Sequence, residues 1–226
     1  MFARHDLVWL TERGWERVRA GAPPDARAAL DGWRDAGWPA VVRRAETALA
    51  PGEVAVGFAM PPRPADGGKL RVACRVELSD VQRRTRALPL VGALDAVPAA
   101  WRDGLAALER EAAGAGLGLA VYGSVALAAL TGQRYVRPES DIDLLLRPLS
   151  RAQLMAGLDL LAAHARQLPL DGEVVFPDGR AVAWKEWAAA RAGAPGSRVL
   201  VKEMTRVSLA TTDNLLAALE EQTCTH

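Results

Sequence analysis

The stretch VYGSVALAALTGQRYVRPESDIDLLLRP, residues 121–148, contains the pattern from which the fold is predicted. An apolar segment ends in Gly123 and Ser124, a short helical segment follows, and a second apolar segment begins at Asp141 and Asp143. This order is typical of a strand, a glycine turn, a helix and a second strand. The two aspartates come directly before a leucine run, where burying a charge is costly, so their role needs an explanation.

The two aspartates are predicted to project from one face of the second strand. Side chains two residues apart in a strand point the same way, so Asp141 and Asp143 converge, while Ile142, Leu144 and Leu146 fill the opposite face. Like charges this close repel unless a cation or a proton lies between them. Hard oxygen ligands favour Mg²⁺ bound together with substrate phosphates, and solvated turn aspartates are the alternative interpretation.

The Gly123-Ser124 turn is predicted to bind phosphate. Backbone N–H groups at a helix N-terminus attract anions, and glycine lets a phosphate approach closely. A tight turn with a serine N-cap is the alternative. Together with Asp141 and Asp143 on the next strand, the turn resembles the signature of the nucleotidyltransferase superfamily related to DNA polymerase beta. This resemblance implies Mg²⁺ held by the catalytic aspartates and a substrate bound by Gly123 and Ser124, with one or two metal ions left open.

A third acid is expected from LPLDGEVVFPDG, residues 168–179, because the superfamily usually supplies one from a later strand. The segment looks like the strand that carries the third acid in aminoglycoside-type nucleotidyltransferases. That likeness selects Asp171 as the third catalytic and metal-binding residue and leaves Glu173 as the alternative. A turn before a hairpin explains Asp171 equally well, and Asp178 in the Pro-Asp-Gly turn is interpreted as structural.

Basic side chains must offset the charge of a triphosphate beyond what a metal supplies. Lys202 follows an apolar strand and Arg134 follows the predicted helix, and both are predicted to bind substrate; an exposed edge lysine and an Arg134–Glu139 pair are the alternatives. His5 is either a partner of Asp6 or part of a substrate surface. Other basic candidates are Arg43, Arg44 and Lys185.

Composition excludes several function classes for this chain of 226 residues. The 28 basic and 27 acidic residues give a net charge of +1, which does not call for a nucleic-acid or membrane surface. The two cysteines, Cys74 and Cys224, lack metal-binding spacing and do not indicate a disulfide framework. The first ten residues carry charge and lack a signal-peptide core, and the sequence has no run of about 18 apolar residues. We therefore expect a cytoplasmic protein without nucleic-acid or membrane partners.

The pattern of segments predicts two domains. Strand-like DLVWL, helical PPDARAALDGWRDAG and the strand-like EVAVGFAM and KLRVACRVEL suggest a small α+β module. RALPLVGALDAVP, residues 86–98, has two prolines and no period, which places a boundary near residue 92. Residues 1–91 are thus expected to form an accessory module, and residues 92–226 an α/β nucleotidyltransferase-like domain with a mixed sheet flanked by helices.

Four segments spread over nearly the whole chain carry a closer resemblance: RHDLVWL, GWPAVVRR, YGSVALAALTGQRYVRPESDIDLLL and LDGEVVFPDGRAVAWKEW. Together they resemble the phosphoribosyl-dephospho-CoA transferases, the holo-acyl-carrier-protein synthases of malonate decarboxylase. The resemblance implies transfer of the prosthetic group from 2′-(5″-triphosphoribosyl)-3′-dephospho-CoA to a serine of the acyl-carrier subunit, with release of pyrophosphate. It also implies that the N-terminal module presents the substrates.

Two other functions are weighed against this one. An ATP-dependent nucleotidyltransferase acting on a small hydroxylated acceptor would share the same site. A catalytically silent nucleotide- or CoA-binding module that docks decarboxylase subunits is disfavoured, because the glycine-serine turn and the aspartate pair are both complete.

Overall fold

Two β-sheets, of five and seven strands, organise the chain in the computed structural model, which describes residues 2–45, 48–63, 67–192 and 196–220. The chain divides into an N-terminal and a C-terminal unit. The first comprises Met1–Ala87, Gln133–Tyr135 and Met204–Arg206, and the second comprises Leu88–Gly132, Val136–Glu203 and Val207–His226. The main division between the units falls between Ala87 and Leu88. The domain bounds 1–91 and 92–226 stay a prediction.

The N-terminal unit is built on an antiparallel sheet. Its elements in chain order are β1 (Leu7–Leu10), α1 (Glu12–Gly21), α2 (Pro24–Asp35), β2 (Ala40–Val42), β3 (Glu53–Ala59), β4 (Arg71–Glu77) and β5 (Val81–Thr85). The strand order is β4-β3-β2-β1-β5. The strands expected at DLVWL, EVAVGFAM and KLRVACRVEL and the helix at PPDARAALDGWRDAG are confirmed, but α1 and β5 are additions to the predicted pattern.

Aromatic packing joins the helices of this unit to its sheet. Phe58 on β3 is buried between the half-buried Gly57 and Ala59. Its ring lies against Trp15 of α1 at 5.3 Å and Trp33 of α2 at 5.9 Å between ring centroids. All three side chains are buried, as period-2 and period-3.6 patterning require of facing elements. Each contributes about 2–3 kcal/mol of burial, so this cluster is a main source of stability in the unit.

Asp80 is a buried acid that ties α1 to the end of β4. It closes the short 3-10 turn Leu78–Asp80, and its carboxylate accepts hydrogen bonds from Arg13 Nε at 2.7 Å and Arg17 Nε at 2.8 Å. Burial by itself raises the pKa of Asp80. The hydrogen bonds from Arg13, the Glu77 backbone N–H and Arg17 outweigh burial and hold that pKa below its ordinary value.

The C-terminal unit contains a mixed sheet flanked by helices. Its elements are β6 (Leu88–Pro89), α3 (Ala99–Gly114), β7 (Leu119–Val121), α4 (Gly123–Thr131), β8 (Ile142–Leu146), α5 (Arg151–His164), β9 (Leu170–Val175), β10 (Ala181–Ala183), α6 (Trp184–Ala192), β11 (Arg198–Lys202), β12 (Val207–Thr211) and α7 (Thr212–Glu220). The strand order is β12-β11-β10-β9-β8-β7-β6. β8 and β9 pair in parallel, and the other neighbours pair antiparallel. The predicted α/β class with a mixed sheet is confirmed.

Local sequence signals position these elements. Ser150 caps α5 by accepting the Gln153 N–H at 3.1 Å, a common role for serine at a helix N-terminus. Gly132 ends α4 at a φ of 69°, a left-handed conformation that glycine adopts at little cost. The predicted hairpin at the Pro-Asp-Gly turn is present, with Val175 opposite Ala181. The edge strand β12 is an addition to the predicted pattern.

Gly172 on β9 packs directly against the backbone of β8. It stands opposite Leu144 in the parallel register and has a φ of +128°. A Cβ at this position would overlap the backbone of Leu144. The strand pair that carries Asp143 and Asp171 therefore requires a residue without a side chain at position 172.

Cys224 lies outside the described residues, and so do residues 64–66 of the proline- and glycine-rich sequence before β4. Cys74 lies half-buried on β4, where burial raises the pKa of its thiol. Among the helices in the described ranges, none has the length and apolar character needed to cross a bilayer.

Candidate functional site

Asp143 and Asp171 are direct neighbours across the parallel β8–β9 pair. Asp143 is the second residue of β8, Asp171 is the second residue of β9, and the register pairs them. Paired residues in adjacent strands lie about 4.8 Å apart and point to the same face. The fold therefore brings together two carboxylates separated by 28 positions in the chain, as the prediction of a third acid at Asp171 requires.

The glycine turn lies against the first of these aspartates. Tyr122 donates its backbone N–H to the Asp143 carbonyl oxygen at 3.1 Å, which places the start of α4 beside β8. Gly123 has a φ of 65°, and a Cβ there would overlap the Asp143 carboxylate. Position 123 requires glycine for two reasons: the backbone has a positive φ, and the Asp143 carboxylate occupies the space that a side chain would fill.

Ser124 lies in the first turn of α4 and is partly exposed. The alternative that Ser124 is the helix N-cap is wrong, because the N-cap position belongs to Tyr122 and no side chain caps it. Backbone N–H groups at such an end have no partners within the helix and carry the positive end of its dipole. The first turn of α4 thus offers N–H donors beside the Asp143 carboxylate.

Asp141 differs from the expectation of two aspartates on one strand. β8 begins at Ile142, so Asp141 precedes the strand, and it is exposed. The Ser140 N–H donates a hydrogen bond to the Arg137 carbonyl and closes a turn immediately before Asp141. The strand therefore begins only after this turn. Within the described ranges no three acidic, histidine or cysteine side chains form a ready metal cage, and the metal-binding role of Asp141, Asp143 and Asp171 stays a prediction.

Two lysines accompany the acids of β9. Lys185 Nζ on α6 lies 3.8 Å from Asp171 Oδ1, and the two side chains are 53% and 41% exposed. Lys202 Nζ lies 2.9 Å from Glu173 Oε1, and the Glu173 side chain is only 3% exposed. Asp171 is accessible and weakly paired, whereas Glu173 is buried in a close ion pair.

The remaining predicted residues lie in other places. Arg134 is exposed within Gln133–Tyr135, which belongs to the N-terminal unit, and Glu139 pairs with Arg137 at 3.9 Å rather than with Arg134. His5 has a φ of 70° and lies with Nε2 3.3 Å from Arg4 Nη2. Arg43 and Arg44 follow β2 in the N-terminal unit.

Binding roles for these residues, and the presenting role of the N-terminal module, stay predictions. Asp178 accepts the Arg180 backbone N–H at 3.0 Å within its turn, as a structural aspartate does.

Sequence reasoning missed the pairing of the lysines with the acids. Lys202 was weighed as a phosphate ligand and Glu173 as a third acid, without the link between them. Two alanines on β10 could have indicated this pairing. Ala181 and Ala183 are small and leave room for a lysine side chain to cross that strand. Lys185 is the second residue of α6, which begins directly after β10, so its side chain starts close to the sheet.

Two family models match the chain and together span nearly all of it. One is described as the phosphoribosyl-dephospho-CoA transferase MdcG C-terminal domain and matches residues 78–213. The other is described as the phosphoribosyl-dephospho-CoA transferase MdcG N-terminal domain and matches residues 3–87. The C-terminal match includes the Gly123 turn and both strands that carry Asp143 and Asp171.

Several curated proteins named phosphoribosyl-dephospho-CoA transferase are similar over most of the chain. The protein of Xanthomonas campestris pv. campestris (strain 8004) is 38% identical over 209 residues, covering 89% of this chain and 91% of its own. That of Bradyrhizobium diazoefficiens is 37% identical over 210 residues, covering 91% and 88%. That of Pseudomonas putida (strain W619) is 33% identical and covers 88% of each chain. No solved structure matches.

Proposed function

The chain belongs to the phosphoribosyl-dephospho-CoA transferase family and is a transferase, and from that premise we propose its acceptor and its chemistry. The enzyme transfers the phosphoribosyl-dephospho-CoA group from 2′-(5″-triphosphoribosyl)-3′-dephospho-CoA to a serine of the acyl-carrier subunit of malonate decarboxylase. Pyrophosphate is the leaving group. The family membership supplies the transferred group, and the acceptor and the leaving group are the proposed part.

The observation that carries this proposal is the register of β8 and β9. It places Asp143 beside Asp171 on one face, with the glycine turn of α4 against Asp143. A helix N-terminus beside two carboxylates can bind phosphates through N–H donors on one side while the carboxylates hold a cation on the other. Phosphoryl transfer depends on that combination, because its catalysis is mainly positioning and charge stabilisation.

The acids fit a Mg²⁺ ion by the chemistry of their donors. Carboxylate oxygens from adjacent strands are hard ligands, and Mg²⁺ is usually bound by one or two carboxylates together with substrate phosphates. Asp143 and Asp171 would hold the ion, together with Asp141 from the segment that precedes β8. Bound there, Mg²⁺ would offset the negative charge of the triphosphate as the reacting bond breaks.

The residues of the chain are assigned to the remaining steps. The N–H groups at the start of α4, with the Ser124 hydroxyl, orient the outer phosphates. The Oγ of the carrier serine forms a bond to the α-phosphorus, the bond from that phosphorus to the β-phosphate oxygen breaks, and pyrophosphate leaves. Asp171, whose side chain is 41% exposed, accepts the serine proton. Lys202 and Arg134 are assigned to phosphate binding, and the N-terminal module to presenting the carrier.

The direct test is incubation of the intact enzyme with the purified acyl-carrier subunit, the triphosphoribosyl donor and Mg²⁺. We expect the intact mass of the carrier to rise by one prosthetic group, with one pyrophosphate released per attachment. Substitution of the carrier's acceptor serine by alanine should abolish the mass change. A parallel reaction with ATP as donor should leave the carrier unmodified, because contacts to the remote pantetheine and nucleotide are used to position the reacting phosphate.

One outcome would overturn the proposed acceptor while leaving the family intact. If the enzyme adenylylates a small hydroxylated compound from ATP and the carrier mass does not change, the acceptor and donor are wrong. Attachment of the prosthetic group without pyrophosphate release would instead overturn the leaving group.

A further inference from the structure

Glu173 and Lys202 form an ion pair that spans a strand. Glu173 lies on β9 and Lys202 on β11, with β10 between them. The Lys202 Nζ is 2.9 Å from the Glu173 Oε1. The glutamate side chain is 3% exposed and the lysine side chain is 37% exposed. The ammonium thus has a fixed, buried acceptor on one side and an opening to solvent on the other.

The register explains how the lysine reaches so far. Ala183 is opposite Glu173, and Ala181 is opposite both Val175 and Lys202, so all of these side chains share one face of the sheet. Strands two positions apart are separated by about 9.6 Å, which a lysine and a glutamate cover only in extended conformations. Alanines on β10 leave the path between them open. The pairing is therefore specified by the sheet.

This face is the one that carries the candidate acids. Glu173 follows Asp171 by two residues on β9, a step of about 7 Å along the same side of the strand. Asp143 is opposite Asp171 on β8. The Lys202 ammonium is consequently held on the same surface as the two aspartates, one step further along β9.

Glu173 is poorly suited to be the third acid. A carboxylate that binds a metal ion must be accessible to the ion and face the bound substrate. Glu173 is buried and already accepts a hydrogen bond from the Lys202 ammonium. Asp171 is accessible, and its ion pair with Lys185 is longer, at 3.8 Å. The two acids of β9 thus have different surroundings although they are two residues apart.

We propose that Glu173 is a positioning residue that fixes the Lys202 ammonium beside the aspartates, where it binds the two phosphates that leave as pyrophosphate. This inference rests on the proposed function, in which those phosphates extend away from the atom under attack. Lysine binds phosphate as a point charge with three donors, so its location depends on what anchors it. Glu173 engages one donor and leaves the others available to phosphate.

The test measures binding of inorganic pyrophosphate in Mg²⁺ buffer by titration calorimetry, on the full-length protein. The variants are Lys202→Met, Glu173→Met, Glu173→Gln and the double variant Glu173→Met/Lys202→Met. Arg198→Gln is the matched control, because it removes a positive charge from an exposed residue on the same strand and the same sheet face. Mn²⁺ binding without pyrophosphate is measured on the same proteins.

A positioning role predicts a specific pattern. Lys202→Met weakens pyrophosphate binding about 10-fold, and Glu173→Met weakens it by about 3- to 10-fold. Glu173→Gln recovers part of the loss, because its amide oxygen still accepts a hydrogen bond from the ammonium. The double variant binds no more weakly than Lys202→Met, since Glu173 acts through Lys202. Mn²⁺ affinity stays within about 2-fold, and Arg198→Gln changes pyrophosphate affinity by less than about 2-fold.

Two results would overturn the inference. Removing a carboxylate close to an anion site should tighten pyrophosphate binding if charge alone matters, so unchanged or tighter binding by Glu173→Met excludes positioning. Weaker Mn²⁺ binding by Glu173→Gln would make Glu173 a metal ligand. If Lys202→Met unfolds because Glu173 is left buried without its partner, the double variant and Glu173→Gln still decide, since apolar replacement of both partners is usually tolerated.

The inference and the proposed function can fail separately. Carrier modification by the wild-type enzyme is followed by intact mass in the same preparation. If the carrier is not modified but the pyrophosphate pattern holds, the acceptor assignment fails and positioning by Glu173 stands. If the carrier is modified but Glu173→Met binds pyrophosphate as the wild type does, positioning fails alone.

Discussion

Each unit carries an acidic centre. The first centre is Asp80, and the second is Asp143 and Asp171 together with Asp141. The two centres differ in how their negative charge is balanced. Asp80 in the N-terminal unit is buried, with two guanidiniums at 2.7 and 2.8 Å. Asp171 in the C-terminal unit lies beside Asp143, and its ion pair with Lys185 spans 3.8 Å between half-exposed groups. An acid met by close, fixed cations holds structure together, whereas neighbouring acids at an accessible strand end can take a cation from solution.

Replacing an acid of the second centre should have the largest effect, and the effect should be on catalysis. We expect Asp143→Asn and Asp141→Asn each to lower the rate of carrier modification by about 10² or more, because in the proposed mechanism each removes a carboxylate that would hold the metal ion in the transition state. The melting temperature should be equal or higher, since a repulsion is relieved.

Asp178→Asn is the control, because the described partners of Asp178 are the backbone N–H and the guanidinium of Arg180, which follows the same turn. The rate should then change little. Near-normal turnover in both Asp141→Asn and Asp143→Asn would rule out the proposed metal site. A large loss of melting temperature in both would instead indicate a structural role, like that of Asp80.

Replacing the acid of the first centre should affect folding. Asp80→Asn loses charge-assisted hydrogen bonds from Arg13 and Arg17, whose own side chains are 59% and 44% exposed and partly screened. We expect the free energy of unfolding to fall by about 2 kcal/mol in denaturant titrations. The turnover per folded molecule should be unchanged, and a selective loss of turnover would show that the first centre is not purely structural.

The glycine turn before α4 should also affect the second centre, because it lies against the Asp143 carboxylate. Gly123→Ala places a methyl group where the Asp143 carboxylate lies, and we expect activity to fall about 10-fold as that carboxylate is displaced. Gly132→Ala is matched in backbone conformation, with φ of 69° against 65°, but has nothing within 4 Å of its added carbon.

Both glycine variants should lose about 1–2 kcal/mol of stability from left-handed strain. Only Gly123→Ala should lose activity. Equal activity of the two variants would show that the Asp143 carboxylate does not depend on the space beside Gly123.

The smallest effect expected is a pH dependence confined to the first centre. The pKa of Asp80 is lower in the folded chain than its unfolded value of about 3.9, so its contribution to stability is fully present above that pH. It is lost as the pH falls through the lower, folded pKa. The stability difference between the wild type and Asp80→Asn should therefore shrink below about pH 4 in urea titrations, and a difference that widens there would contradict the ion-pair account.

The chemistry-bearing segment of the fold was predictable because its signals are local. The apolar run after Asp143 and the glycine turn before α4 each act within a few residues, so β8 and α4 appear where the sequence places them. The parts that escaped prediction contain few buried apolar side chains. α1 buries only Gly14, Trp15 and Val18, and β5 is exposed along nearly its whole length.

The geometry of the acids depended on long-range register, which sequence patterns do not encode. The neighbouring positions of Asp143 and Asp171 follow from a parallel pairing made through the α5 crossover. The choice between Asp171 and Glu173 as the third acid was open in the sequence, because both are acidic residues on one side of one strand. Their different burial and different lysine partners come from the strands that pack beside them.

Gly172 gives this site an unusual mutational profile. The residue has no functional group and contacts no substrate in the proposed reaction, yet any side chain there must push β9 away from β8 and separate the two aspartates. In a saturation screen scored by carrier modification, position 172 should tolerate no replacement, as a catalytic aspartate would. Sensitivity of that kind identifies a residue that sets the distance between Asp143 and Asp171 without taking part in the reaction.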